Sequence, residues 1–256
     1  MRNDHPSVTL DGGGLVTLSG DRAHRILYQD TCDPAQRWTT SHCQNQRAPQ
    51  LTVRNITLTR GNSTGQAFDG GGGGAIFARG GRLTIINSRF TANRCDPVGP
   101  DVGGAAVRAL DQYAGLPVRV LGSTFTGGRC ANGGALSSIG VSWLITGSTF
   151  TGNRVTGRGA NPARAGTPGG GSGGAIYLDG NTYTLTLRRS VIHDNLAPEG
   201  GGAIFFVSND RTGTATLDAS TLRHNPSLGF ETPGLPGIYF LGSGRPALTG
   251  GTRLIP

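Results

Sequence analysis

Three arginines recur at one position of a repeated motif and together could bind a polyanion. Arg94, Arg129 and Arg154 each follow the Asn or Gly that ends a copy of this motif. If the copies stack, the guanidinium groups form one positive stripe, which suits contact with an acidic glycan, a teichoic acid or a nucleic acid. The alternative is structural, since the same side chains could solvate an edge and cap carbonyl groups. Both interpretations stay open at this point.

A second polar group lies on the outward positions of two later repeats. The spacing predicts that Arg188 faces Asp218 and that His193 faces Arg223, one repeat apart. An arginine could neutralise a uronate while His or Arg removes a proton, which is the catalytic chemistry of a polysaccharide lyase. The alternative, which the sequence favours, is a cross-strand ion pair on a solvated sheet, worth under about 1 kcal/mol. No pair of carboxylates recurs in the repeats, so hydrolysis by two acids is disfavoured.

The four cysteines predict two disulfides. Cys95 and Cys130 each fall five residues after the Phe of their repeat, so they occupy the same site on neighbouring coils, within disulfide range. Cys32 and Cys43 bracket a polar insertion near residues 30–49, which a second bond would tie. Two disulfides indicate an extracytoplasmic protein.

A metal site is the rival explanation for one cysteine pair. Cys32, His42 and Cys43 could act as ligands, but their spacing matches no zinc pattern. We therefore expect neither a metal nor a cofactor.

Threonines flank one aromatic column and form a third candidate surface. A flat Thr-x-Thr ladder is similar to the surface of ice-binding solenoids, although Arg89 and His193 interrupt it here. The alternative is that Thr simply suits exposed strand positions. The flanking pairs are Thr57/Thr59, Arg89/Thr91, Thr124/Thr126 and Thr149/Thr151.

Two short motifs alternate along the chain and must position all of these side chains. The first is Gly-Gly-Ala followed by apolar residues, and the second is Ser-Thr-Phe-Thr or a close variant that ends at an Asn or Gly turn. The spacing varies within Gly-, Pro- and Asn-rich stretches, as expected of variable loops on a constant frame of strands. The first motif begins at Gly73, Gly103, Gly133, Gly173 and Gly201, and the second at Ser88, Ser123, Ser148, Ser190 and Ser220.

Alternating strands around each Ser predict columns of inward side chains. Three columns are apolar in all five copies, as expected when each copy is one coil of a solenoid, about 4.8 Å above the last. A column of Asn at the turns could hydrogen-bond along the stack. The columns are Leu83/Val118/Trp143/Leu185/Ala215, Ile85/Val120/Ile145/Leu187/Leu217, Phe90/Phe125/Phe150/Ile192/Leu222 and Asn93/Asn153/Asn195/Asn225.

Composition excludes several other classes of protein. Of the 256 residues, 45 are Gly, none is Lys and 15% are charged, with a net charge of +8. The Gly clumps lack the three-residue period of collagen, and good helix formers are too scarce for a bundle. Recurring Ile, Val, Leu and Phe are atypical of a flexible linker. No apolar stretch approaches the roughly 20 residues of a membrane helix.

The alternation of Gly-Gly-Ala-Ile-type and Phe-x-x-Asn-type tetrapeptides resembles the repeats of chlamydial polymorphic outer-membrane proteins and related bacterial surface proteins. The likeness runs from about Val8 to Phe240. It implies a right-handed parallel β-helix of the pectin-lyase-like type. It implies little about function, because the motifs are structural.

We therefore predict an all-β chain in which residues 1–256 form one right-handed parallel β-helix of about eight coils, with loops near 30–49 and 154–171. The favoured function is a secreted or cell-surface, adhesin-like module. We expect a monomer that binds an anionic glycan or surface polymer, without specific nucleic-acid recognition. A polysaccharide lyase is the first alternative and an ice-binding solenoid the second, and binding is favoured over catalysis.

Overall fold

The computed structural model describes residues 7–31, 43–66, 71–99, 102–157 and 171–256. These residues form 25 β-strands and one short 3₁₀ turn, Tyr113–Gly115. The all-β prediction is therefore confirmed. No helix within the described ranges is long and apolar enough to cross a membrane.

Three long parallel sheets contain nearly all of the described strands. Sheet A consists of β1 (Ser7–Asp11), β4 (Gln50–Arg54), β7 (Arg82–Ile86), β10 (Val118–Leu121), β14 (Trp143–Thr146), β18 (Thr184–Arg188), β21 (Thr214–Asp218) and β24 (Ala247–Thr249). Sheet B consists of β2 (Thr17–Ser19), β5 (Thr57–Thr59), β8 (Arg89–Thr91), β11 (Thr124–Thr126), β15 (Thr149–Thr151), β19 (Val191–His193), β22 (Thr221–Arg223) and β25 (Arg253–Ile255). Sheet C consists of β3 (Leu27–Asp30), β6 (Ile76–Arg79), β9 (Val107–Leu110), β13 (Leu136–Ile139), β17 (Ile176–Gly180), β20 (Ile204–Ser208) and β23 (Ile238–Leu241). The two-stranded sheet D pairs β12 (Arg129–Cys130) with β16 (Arg154–Val155).

The chain visits sheets A, B and C in turn, and each visit adds one parallel strand beside the previous one. Equivalent positions of successive copies face each other, as Trp143 faces Leu185 in sheet A. Parallel strands that stack in register through three sheets are consistent with a β-helix or solenoid. The predicted stacking of repeats is therefore confirmed.

The predicted inward columns form the core between the sheets. Phe90, Phe125 and Phe150 stack with ring centroids 4.7 and 4.8 Å apart. Trp143 is 1% exposed, and its indole N–H donates to Ser138 Oγ at 2.9 Å. Burial of these apolar side chains along every coil stabilises the stack.

The asparagine column forms the predicted ladder. Asn153 Nδ2 donates to Asn195 Oδ1 at 2.8 Å, and Asn195 Nδ2 donates to Asn225 Oδ1 at 2.9 Å. The motif serines form a second ladder that the sequence did not predict, in which the backbone N–H of Ser123 donates to Ser148 Oγ at 3.2 Å. Both ladders satisfy buried polar groups and tie each turn to the next.

The Gly-Gly-Ala motif is offset by one residue in its second copy. The register pairs Ile76 with Val107, so Gly104 takes the place of Gly73 and Ala105 stands where the other copies have a second Gly. Gly104 has a φ of 74°, and a Cβ there would clash with the carbonyl oxygen of Val107. In this copy the left-handed Gly alone suffices, whereas a Cβ at Gly74 or Gly134 would clash with a backbone carbonyl oxygen, so those copies need both glycines.

Candidate functional site

The three motif arginines lie side by side along the stacking direction. Arg94 bridges to Arg129, and Arg129 pairs with Arg154 in parallel register. All three side chains are exposed, and none forms an ion pair with any described residue. We call this column the arginine stripe. It ends at Leu196, which pairs with Arg154 in the next coil.

Buried neighbours hold each arginine of the stripe in place. Asn93, which precedes Arg94, is 2% exposed and accepts the backbone N–H of Gly61 at 2.8 Å. Cys95, which follows Arg94, is 4% exposed. Because side chains alternate at period two in extended backbone, the arginine between them must point outward. The same order of buried, exposed and buried residues surrounds the other two arginines.

Two arginines of the stripe, Arg94 and Arg129, line an open depression of about 650 Å³. Arg22 also lines this depression and adds a cation that the sequence analysis missed, because its coil lacks the repeated motif. Asn62 links Arg22 to Arg94. Its backbone bridges to Arg94, and its side-chain amide donates to the carbonyl oxygen of Arg22 at 2.7 Å. The rest of the lining includes Thr64, Thr156, Pro97, Cys95 and Cys130.

Three arginines, Arg22, Arg94 and Arg129, line the depression. Asp96, the carboxylate next to Cys95, is not part of this lining and accepts the backbone N–H of Gly65 at 3.0 and 3.2 Å. No described His or carboxylate side chain lines the depression. A guanidinium is permanently protonated and only donates hydrogen bonds. The arrangement can therefore hold anions through its N–H donors.

One predicted disulfide is confirmed at the edge of the stripe. Cys95 and Cys130 are bonded, with their Cα atoms 4.8 Å apart. Cys43 is buried and takes part in a disulfide, but Cys32, like His42, lies outside the described residues, so the second predicted bond stays a prediction. Among the residues that the structure describes, no group of three His, Cys, Asp or Glu side chains could hold a metal ion.

The predicted lyase residues fall on two different sheets. Arg188 pairs with Asp218 in sheet A, and His193 pairs with Arg223 in sheet B, as the spacing predicted. No ion pair or hydrogen bond joins one pair to the other among the described residues, and neither pair forms an ion pair internally. Asp218 instead accepts the Thr249 hydroxyl at 2.8 Å. A catalytic role for these four residues stays a prediction.

Two further residues, which the sequence analysis missed, surround His193. Its Nδ1 lies 2.6 Å from Asp194 Oδ2, and His224 Nδ1 lies 3.7 Å from Asp194 Oδ1. The hydrogen bond that Asp194 accepts from His193 lowers the pKa of the Asp194 carboxyl. The cluster lies on the surface, since Asp194 and His224 are both more than half exposed.

The threonine face of sheet B contains one hydroxyl column that runs without interruption over five coils, and the register adds Ser19 to the expected threonines. Arg89 interrupts the neighbouring column after Thr57. The continuous column consists of Ser19, Thr59, Thr91, Thr126 and Thr151.

Comparison of the chain with protein-family models, with curated proteins and with solved structures finds no match. The likeness to the chlamydial repeats is thus one of short motifs, and no family assignment follows from it. The function has to be argued from the geometry of the arginine stripe and of the two outward faces.

Proposed function

We propose that this chain is a right-handed parallel β-helix of about eight coils that binds a linear anionic glycan or surface polymer along the arginine stripe. The single observation that carries the proposal is the in-register, exposed column of Arg94, Arg129 and Arg154 without an ion-pair partner among the described residues. Eight strands in each of sheets A and B support the coil number. We propose a right-handed helix because connections between parallel strands are strongly biased toward right-handed crossovers.

Binding rather than catalysis is the role that the stripe supports. Each guanidinium can grip a carboxylate, sulfate or phosphate through two parallel hydrogen bonds. Because one arginine recurs per coil, a polymer that lies along the stack meets several of them at once, which raises the overall affinity without strengthening any single contact. The net charge of +8 adds long-range attraction for a polyanion.

An extracellular location supports the same function. The Cys95–Cys130 bond is of the kind that persists outside the reducing cytosol. Anionic glycans and polymers are abundant at cell surfaces, so a secreted or surface-displayed, adhesin-like module would meet its ligand there.

The test removes three positive charges from the stripe and compares the effect on binding with the loss of three positive charges elsewhere on the surface. A triple variant, Arg94→Gln, Arg129→Gln and Arg154→Gln, is compared with Arg119→Gln, Arg211→Gln and Arg253→Gln, which also removes three exposed arginines. We expect the stripe variant to bind polygalacturonate at least about tenfold more weakly, with a flatter dependence of affinity on salt. Equal weakening by the control variant would show that only net charge matters and would overturn the proposal. Release of unsaturated, ultraviolet-absorbing ends from polyuronates would instead support the lyase alternative.

Ice binding is a second candidate function, and the continuous hydroxyl column from Ser19 to Thr151 favours it. Rigid sheet B holds these hydroxyl groups in a regular row. Thermal hysteresis and faceted ice crystals that disappear in Thr126→Lys would support this function. Growth of ordinary round ice crystals in the presence of the wild-type protein would exclude it.

A further inference from the structure

The Cys95–Cys130 disulfide lies directly beneath the arginine stripe. Each cysteine immediately follows an arginine of the stripe, and the bond joins the two coils whose arginines, Arg94 and Arg129, bridge to each other. Both cysteines also line the depression beside these arginines. The covalent link and the binding groups are therefore parts of one local structure.

Backbone pairing at this column is short, and the disulfide adds a covalent link to it. Three backbone hydrogen bonds join the two coils here: the N–H groups of Cys95, Arg129 and Ala131 donate to the carbonyl oxygens of Arg129, Asn93 and Asp96 at 3.0, 3.0 and 2.9 Å. Sheet D contributes only two residues from each strand, whereas strands of sheet A extend to five residues. Stacked guanidinium groups repel each other, most strongly at low salt. Without the covalent link, repulsion can spread the two arginines apart at this point.

We propose that the Cys95–Cys130 disulfide is a redox-dependent clamp that keeps Arg94 and Arg129 in register and so sets the affinity of the stripe for polyanions. This inference rests on the proposed function and names a way in which the same site is regulated. The oxidised protein holds its polymer tightly, and the protein reduced at this bond releases it.

Reduction at this position is a balanced thiol–disulfide exchange. A dithiol thiolate attacks one cysteine sulfur, the S–S bond breaks, and the other cysteine leaves as a thiolate. The second thiol of the reagent then closes its own disulfide, so two electrons and two protons pass from the dithiol to Cys95 and Cys130. The two cysteines are 4% and 1% exposed, so the reagent reaches the bond from the depression that they line.

Thermodynamic reciprocity provides a second consequence. If the oxidised form binds a polyanion more tightly than the reduced form, the bound polyanion must resist reduction of the bond by the same factor. A tenfold difference in affinity corresponds to about 30 mV in the midpoint potential of this two-electron couple.

The first experiment removes the clamp without touching the Cys43 disulfide. The double variant Cys95→Ser and Cys130→Ser is tested for binding to polygalacturonate beside the oxidised wild type, with near-ultraviolet circular dichroism to compare folding. We expect affinity to fall about five- to tenfold at low salt. The stripe variant that lacks all three arginines serves as the control, because addition of the two serines should weaken it no further.

The second experiment uses the wild-type chain and needs no folded variant. The protein is equilibrated with dithiothreitol buffers, with and without polygalacturonate, and mass spectrometry of alkylated peptides reports Cys95 and Cys130 alone. We expect the polymer to shift the midpoint toward the oxidised form. Equal affinities with an unshifted midpoint would overturn the clamp and leave the proposed function standing. Failure of the oxidised wild type to bind would overturn both.

Discussion

Buried asparagines at the turns are among the most fully hydrogen-bonded side chains in the protein. The two N–H groups of Asn195 Nδ2 are shared among three acceptors, the carbonyl oxygens of Phe150 and His193 and Asn225 Oδ1, at 3.1, 2.9 and 2.9 Å. Asn195 Oδ1 accepts both the backbone N–H and the side-chain amide of Asn153 at 2.9 and 2.8 Å. One side chain thus satisfies groups on three successive coils.

Replacement of Asn195 by Ala should therefore be costly. The variant leaves buried donors and acceptors of neighbouring coils without partners, and each such group costs about 1–3 kcal/mol. We expect the free energy of unfolding to fall by about 2–4 kcal/mol. Urea denaturation measures this, with Thr184→Ala on an exposed strand position as the control. A loss no larger than that of the control would mean that the ladder contributes little.

Asp111 is an ionisable residue with an unusual environment. It is 1% exposed, and neither carboxylate oxygen accepts a hydrogen bond from a residue that the structure describes. Burial raises the pKa of its carboxyl to about 7, while Arg79 acts in the opposite direction and Asp30 adds to the increase. These two residues form a buried ion pair of their own, with 2.7 Å between Arg79 Nη2 and Asp30 Oδ2.

The raised pKa of Asp111 predicts a pH dependence of stability. The folded protein holds this proton up to about pH 7, whereas the unfolded chain releases it near 3.8. The contribution of this carboxyl to stability is therefore fully present below about pH 4 and is lost as the pH rises to about 7. At pH 8 we expect the free energy of unfolding of Asp111→Asn to exceed that of the wild type by about 2 kcal/mol. At pH 4 we expect no such difference. Parallel stability curves for the two proteins across this range would contradict the assignment.

The aromatic stack illustrates how elements on successive coils stabilise one another. Phe125 is fully buried between Phe90 and Phe150, in strands that are only three residues long. Strands this short depend on packing against their neighbours in the stack. A defect in one coil should therefore weaken both adjacent coils.

Phe125→Ala tests this dependence. Truncation leaves a cavity between two rings and should reduce the free energy of unfolding by about 3–5 kcal/mol. Phe125→Leu, which occurs naturally in this column as Leu222, should lose under about 1.5 kcal/mol because it conserves most of the volume. Guanidinium denaturation of both variants measures the difference. Comparable losses in the two would indicate that the column does not act as a packed stack.

The strands and buried columns could be predicted where the sequence pattern lies within one repeat. Period-two alternation and the recurring Phe predicted the buried columns, and their common offset placed Cys95 opposite Cys130. The prediction failed to include Arg22, because its contact with the stripe arises from the path of the first coil rather than from a motif. Asp111 was equally hidden, since nothing in its local sequence indicates burial. The offset at Gly104 shows that strand pairing sets the register, because the position of Gly-Gly-Ala in the sequence would align this copy one residue away.

At the scale of the whole molecule, the Cys95–Cys130 bond links residues 35 apart in sequence. In the chain-entropy account, such a cross-link stabilises the folded state by about 4 kcal/mol, because it restricts the unfolded chain. The bond thus supports a stack whose polar, Gly-rich composition limits the size of its core.

An extracellular location predicts that Cys95 and Cys130 are bonded in the native protein. Protein isolated from its native source and digested without reduction should yield one peptide pair joined through Cys95 and Cys130. The urea concentration at the midpoint of unfolding of the intact protein should fall when a reductant is added. Recovery of these two cysteines as free thiols from freshly isolated protein would contradict an extracellular location.

The most direct test of the whole account is how affinity depends on the length of the ligand. Isothermal titration with galacturonate oligomers of increasing length compares the wild type with the triple Gln variant of Arg94, Arg129 and Arg154. We expect wild-type affinity to rise with each added sugar until the oligomer reaches all three arginines and then to level off, while the variant shows little rise. The same length dependence in both proteins would contradict the claim that the arginine stripe is the binding site.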